Sequence, residues 1–148
     1  MTGFDMHQDM RQLRVLLVDD NAALRGALRV SLTAFGCARV LEADTVEKAL
    51  AALGSQPIDL VITDWKMAPR DGIDLVRTLR RRENSPAPLV PVIMLSAYSN
   101  SDRIAQARHA GVDAFLVKPF TASALAAAIR ETVLEPTHRG FAAYACTN

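Results

Sequence analysis

Cysteine is almost missing from this chain. Cys37 and Cys146 are the only two, and their spacing fits neither a metal-ligand set nor a redox pair, so a reduced pair is expected. Charge of one sign is also missing: 17 basic against 16 acidic residues leave a formal net charge of +1. That balance gives no electrostatic case for direct nucleic-acid binding. No apolar run approaches the length of a membrane span. Residues 1–12 mix Asp, His, Gln and Arg with no signal-peptide core, so no membrane association and a cytoplasmic location are expected. No glycine-rich loop follows the first apolar run, which disfavours a dinucleotide-binding oxidoreductase. No repeat of fixed period and no low-complexity block is visible. Lysine is scarce: Lys48, Lys66 and Lys118 are the only three.

What remains is an alternation of short apolar runs and amphipathic stretches. Residues 15–18, 58–63, 92–95 and 114–117 are nearly continuous apolar runs, as strands buried on both faces are. Residues 39–43 form a shorter, more polar run suited to a sheet edge. Between them lie helical periodicities capped by Asn21 and Thr45, then one entered past Gly72, one over 100–110 stopped by Gly111, and one capped by Thr121. Leu24, Ala27, Leu28 and Leu32 are expected to face inward on the first. Five strand–helix pairs predict an α/β fold: a doubly wound, five-stranded parallel sheet with helices on both faces. The expected domain spans 13–135, with an N-terminal tail over 1–12. The C-terminal tail, 136–148, is expected to fray, although Phe141 and Tyr144 would let it dock on the body or on a partner.

The charged residues sit where the apolar runs stop. Asp19 and Asp20 follow the first, Asp64 the third, and Lys118-Pro119 the fifth. In a parallel sheet those stops are the carboxyl ends of the strands, where ligands bind. Three converging carboxylates repel one another unless a hard cation is present, and Mg²⁺ prefers a few carboxylates plus waters. An aspartate so placed is a candidate nucleophile toward phosphorus.

Five runs occur in one order: Leu17-Val18-Asp19-Asp20-Asn21, Thr63-Asp64-Trp65-Lys66-Met67, Asp71-Gly72, Leu95-Ser96-Ala97 and Lys118-Pro119-Phe120. Together they resemble the receiver domain of two-component response regulators. The resemblance implies flavodoxin-like strand order 2-1-3-4-5. It implies Asp64 as phosphoacceptor, with a Mg²⁺ cofactor held by Asp20 directly, Asp19 largely through water, Asp64, and the backbone carbonyl of Lys66. Lys118 would hold a phosphoryl oxygen, and the peptide bond to Pro119 would be cis. Ser96 would bond the phosphoryl group and act with Phe115 as the switch. Lys66 and Tyr98 stand at positions that set the phosphate lifetime. One departure is plain: Met67 is followed by Ala68, with proline delayed to Pro69, where the family usually has proline directly after methionine.

The function so implied is a stand-alone, single-domain receiver. A sensor histidine kinase or phosphotransfer protein would phosphorylate it with Mg²⁺, and it would catalyse its own phosphorylation and slow dephosphorylation. It would signal to a downstream protein through the region 100–134, or serve as a phosphate sink. Two alternatives were weighed: a Mg²⁺-dependent phosphohydrolase with an aspartyl nucleophile, and a degenerate receiver acting as a constitutive binding module. The first lacks a second carboxylate beside Asp64, and the intact acidic set argues against the second.

Overall fold

The computed structural model describes residues 6–134 and 141–144. Cys146 and the remaining tail positions lie outside the described residues. In chain order the elements are α1 (Met6–Gln12), β1 (Arg14–Val18), α2 (Ala22–Ala34), β2 (Arg39–Ala43), α3 (Val46–Ser55), β3 (Leu60–Asp64), α4 (Gly72–Arg80), β4 (Val92–Ser96), α5 (Ser101–Ala110), β5 (Ala114–Val117), α6 (Ala122–Ile129) and β6 (Ala142–Tyr144). A π-helical turn, Arg130–Leu134, continues α6.

The strand order is β2-β1-β3-β4-β5-β6, and every pairing is parallel. The doubly wound order 2-1-3-4-5 is the one expected. Two elements were not anticipated. The helix α1 buries Met10, and β6 adds a sixth strand from a segment read as fraying tail.

Alternation along the strands builds two cores. Val15 and Leu17 of β1 enter one layer, while Leu16 and Val18 enter the other. Leu60 and Ile62 against Val61, and Ile93 and Leu95 against Val92 and Met94, repeat the division. This period of two is why the strands read as unbroken apolar runs. On one face pack α3, α4 and α5 through residues such as Ala49, Val76 and Ala107; on the other α1, α2 and α6 through Met10, Leu32 and Leu125. Full burial of each large aliphatic side chain contributes about 1.5–3 kcal/mol. In α2 only Leu28 and Leu32 of the four expected residues are buried; Leu24 and Ala27 are exposed beside the sheet's carboxyl edge.

Side-chain caps start five of the helices. Asn21, Thr45, Asp71, Asn100 and Thr121 each accept a hydrogen bond from the amide three residues on, satisfying a donor that the helix leaves unpaired. Asp71 and Asp74 close a reciprocal capping box.

At the amino edge of the sheet, ion pairs tie the layers. Arg14 grips Asp59 through its backbone amide (2.8 Å), Nε (2.8 Å) and Nη2 (3.0 Å). Arg80, last residue of α4, donates to the carbonyls of Gly111 and Pro88, both at 3.0 Å, and to Asp113 at 2.9 Å. Gly111 ends α5 with φ +108°. An L side chain there would be strained, and its Cβ would stand 2.7 Å from Arg80 Cγ.

Candidate functional site

The site forms where strand order reverses. β1 continues to β2 on one side and its other neighbour is β3, the topological switch point at which open α/β sheets bind ligands. Asp64 is the last residue of β3 and Ser96 the last of β4; Asp19 and Lys118 directly follow β1 and β5. All of these, with Asp20, Lys66 and Tyr98, line one cavity of 490 Å³. The sheet thus brings together the phosphoacceptor candidate, both other carboxylates and the lysine. Phe115 does not line this cavity.

Asp64 is 8% exposed, and its Oδ1 lies 2.7 Å from Lys118 Nζ. The backbone beyond it is fixed by two bonds: the Trp65 amide donates to Leu95 (2.9 Å), and the Gly72 amide donates to the Trp65 carbonyl (2.8 Å). This return of the loop requires glycine. A Cβ on residue 72 would lie 2.3 Å from the Asp64 carbonyl oxygen and 3.0 Å from Met94 Cε. The delayed proline leaves this closure intact. Both Lys118–Pro119, as the resemblance implied, and Ala68–Pro69 are cis.

Asp19 is buried. Its Oδ1 accepts the Asn21 amide at 2.9 Å, while Oδ2 has no hydrogen-bond partner among the described residues. Burial pushes its carboxyl above the usual range. The Asn21 amide opposes this, the Asp64 charge adds to it, Lys118 opposes, and Asp20 adds. Arg25 holds the Asp19 carbonyl and pairs with Glu42 at 2.8 Å. Asp20 is exposed at the mouth.

Among the described residues no three His, Cys, Asp or Glu side chains form a metal-binding group. A hard cation does not need one, because Mg²⁺ keeps several waters and accepts carbonyl oxygens. The buried, partnerless Asp19 Oδ2 beside Asp64 is a donor that such a cation satisfies. The residues fit Mg²⁺ on this chemistry.

The switch candidates form a second group. Ser96 is buried, and its hydroxyl accepts the Tyr98 amide and donates to the Tyr98 carbonyl, both at 3.1 Å. It is therefore engaged with its own loop. Phe115 is fully buried and meets Trp65 edge-on, with centroids 6.2 Å apart and planes at 83°. Lys66 is exposed at the rim, and Tyr98 is 52% exposed.

Arg103 was missed in the sequence. Its guanidinium lies 4.7 Å from the Trp65 ring centroid and 5.0 Å from that of Tyr98, and it lines the same cavity. Cation–π attraction holds a positive charge there. The available signal was an aromatic residue beside Asp64 and another beside Ser96, with a cation one turn into the next helix. An apolar hollow of 540 Å³ adjoins the site, between α2 and the start of α6, lined by Leu24, Ala27, Leu28, Pro119 and Phe120.

Known proteins share this sequence pattern and fold. A family model described as the response regulator receiver domain matches residues 15–130. The chain is similar to the chemotaxis protein CheY of Pseudomonas aeruginosa, 38% identical over 113 residues, covering 76% of this chain and 90% of that one. It is also similar to CheY-3 of Vibrio cholerae, 36% identical over 115 residues, covering 78% and 87%. Among solved structures, CheY4 of Vibrio cholerae matches with TM-score 0.75 and 26% identity, covering 82% of this chain and 98% of that one. A receiver protein from Pseudomonas putida matches with TM-score 0.72 and 35% identity, covering 80% and 96%.

Proposed function

The chain belongs to the response regulator receiver domain family, and from that premise we propose that it is a switch operated by phosphorylation of Asp64. The observation that carries this reading is the Asp64–Lys118 pair at 2.7 Å beside the partnerless Asp19 oxygen. A carboxylate held on a cation, in a cavity open to solvent, is placed to accept a phosphoryl group. The P–N bond of a phosphohistidine donor breaks, a P–O bond to Asp64 forms, and the imidazole leaves with the electron pair.

Catalysis of such a transfer is mainly positioning and charge neutralisation. Lys118 shifts its ammonium from the Asp64 carboxylate to a phosphoryl oxygen as a point charge. Asp20 and Asp64, Asp19 largely through water, and the Lys66 backbone carbonyl would hold Mg²⁺, which would supply further positive charge there. Arg103 adds a cation at the cavity wall. The apolar hollow between α2 and α6 shares Asp19, Leu24, Ala97 and Lys118 with the site. It gives a sensor histidine kinase or phosphotransfer protein an apolar surface to dock on beside Asp64.

Output follows from Ser96. To bond a phosphoryl oxygen its hydroxyl must leave the Tyr98 carbonyl, and the loop leading into α5 must adjust. Phe115 then repacks against Trp65 and α5, which biases two arrangements of the region 100–134. A downstream protein that prefers one arrangement reads the signal.

Intact mass after incubation with Mg²⁺ and acetyl phosphate is the test. One added phosphoryl group is expected, and none when EDTA is present during the incubation or in Asp64→Asn. An Asp64→Asn protein that still forms a Mg²⁺-dependent acyl phosphate would overturn the assignment.

A further inference from the structure

The outer edge of β5 is covered by the chain itself. β6 runs parallel to β5 in the register Ala114↔Ala142, Phe115↔Ala143, Leu116↔Tyr144, and the Ala142 amide donates to the Asp113 carbonyl at 3.1 Å. The Lys118 amide donates to the Ser96 carbonyl on the β4 side. Alternation along a strand therefore turns the amides of Phe115 and Val117 toward β6. The edge that β6 fills is the backbone of the residue whose ring meets Trp65, next to Asp64.

β6 is lightly held. It is three residues long, and Ala142 and Ala143 carry little apolar surface. Phe141 anchors it, half-buried against the core cluster that holds Phe115. A short strand with an aromatic anchor blocks an edge that otherwise templates pairing, and an extended segment from another protein satisfies the same edge by strand addition.

We propose that the β5 edge is a strand-accepting docking surface whose resident is the chain's own segment 141–144. A downstream partner replaces that segment with an extended one of its own, run parallel to β5, with an aromatic anchor followed by small residues. The inference rests on the reading of 100–134 as the output region. Its test uses unphosphorylated protein, so its failure is separable from failure of the phosphorylation assignment.

The probe is a labelled peptide of residues 136–148, kept reduced and followed by anisotropy. In wild-type protein the tethered copy competes at an effective concentration of about millimolar, so the peptide does not bind. Ala142→Pro removes the donor to Asp113 and vacates the edge. That variant binds the peptide, and a peptide carrying proline at the same position binds neither protein. Ala143→Pro is the control, since its amide faces away from β5. In Ala142→Pro, amide exchange at Phe115 and Val117 accelerates by about tenfold or more relative to wild type and to Ala143→Pro. If Ala142→Pro does not fold, Phe141→Ser detaches the anchor and takes its place in both measurements. A folded variant that fails to bind the peptide, or that keeps full protection at Phe115 and Val117, overturns the proposal. A wild-type dimer lost on Ala142→Pro also overturns it, because the strand would then belong to a neighbouring copy.

Discussion

Asp19→Asn is expected to stabilise the metal-free protein. The wild-type Oδ2 is buried without a partner, and an unsatisfied buried polar atom costs about 1–3 kcal/mol. In the variant the amide oxygen keeps the bond from the Asn21 amide. The new NH₂ group becomes a donor facing the carboxylates of Asp64 and Asp20. Lys118 already offsets part of the repulsion, so the lower half of the range applies, about 1–2 kcal/mol. In a chain of this size 1 kcal/mol moves Tm by about 2–4 °C, which puts the rise at about 2–8 °C. Thermal and urea unfolding in EDTA at neutral pH give the difference. The penalty exists only while Asp19 is ionised, and its carboxyl is held above the usual range. The difference is therefore largest at pH above the folded-state pKa and closes as pH falls, vanishing below about 3.9. Adding Mg²⁺ narrows the difference: at ten times Kd the wild type gains about 1.4 kcal/mol, and the variant gains less. An Asp19→Asn protein that is less stable in EDTA, or that responds equally to Mg²⁺, would refute the argument.

Gly72→Ala places a Cβ against the Asp64 carbonyl, where backbone cannot yield cheaply. It is expected to cost about 1–3 kcal/mol in urea unfolding and to slow acyl-phosphate formation by intact mass. Asp59→Asn removes the partner of Arg14, which holds the Asp59 carboxyl below its usual range. Because that pKa is depressed, the pair stabilises above about pH 3.9 and its contribution disappears as pH falls through the folded-state value. The variant is expected to be less stable than wild type at pH 7, with the difference closing in acid, as unfolding across pH measures. Lys66→Asn with Tyr98→Glu opens the water approach to Asp64. Decay of the phosphoprotein after donor removal should quicken by about tenfold, equivalent to about 1.4 kcal/mol of barrier; equal decay rates would leave both side chains without that role.

The sheet was legible because its central strands are buried on both faces, which leaves continuous apolar runs, and because the first, third and fifth runs end on a charge. Asp19, Asp64 and Lys118 could be placed from those stops alone. Leu24 and Ala27 could not: helical periodicity marks an apolar stripe but not whether another element covers all of it. β6 was illegible for a related reason. Phe141-Ala142-Ala143-Tyr144 is too short and too rich in alanine to declare a strand, and its conformation is set by the β5 edge it pairs with. Arg103 was invisible because two aromatic rings from different loops give it its place, a relation that exists only after folding.

Arg80 has a mechanical consequence. It fastens the end of α5 by bonding the Gly111 carbonyl, and it ties that point to the entrances of β4 and β5 through Pro88 and Asp113. At the opposite end of α5, Arg103 stacks with Trp65 and Tyr98, and Ile104 packs against the core cluster. A displacement at the head of a helix pinned in this way at its tail would swing it as a lever. Its 10 residues make an arm of about 15 Å, so a shift of about 1 Å at the head is a rotation of about 4° around Gly111. A displacement at the Asp64 end would thus become an angle, with the fulcrum at the opposite edge of the sheet.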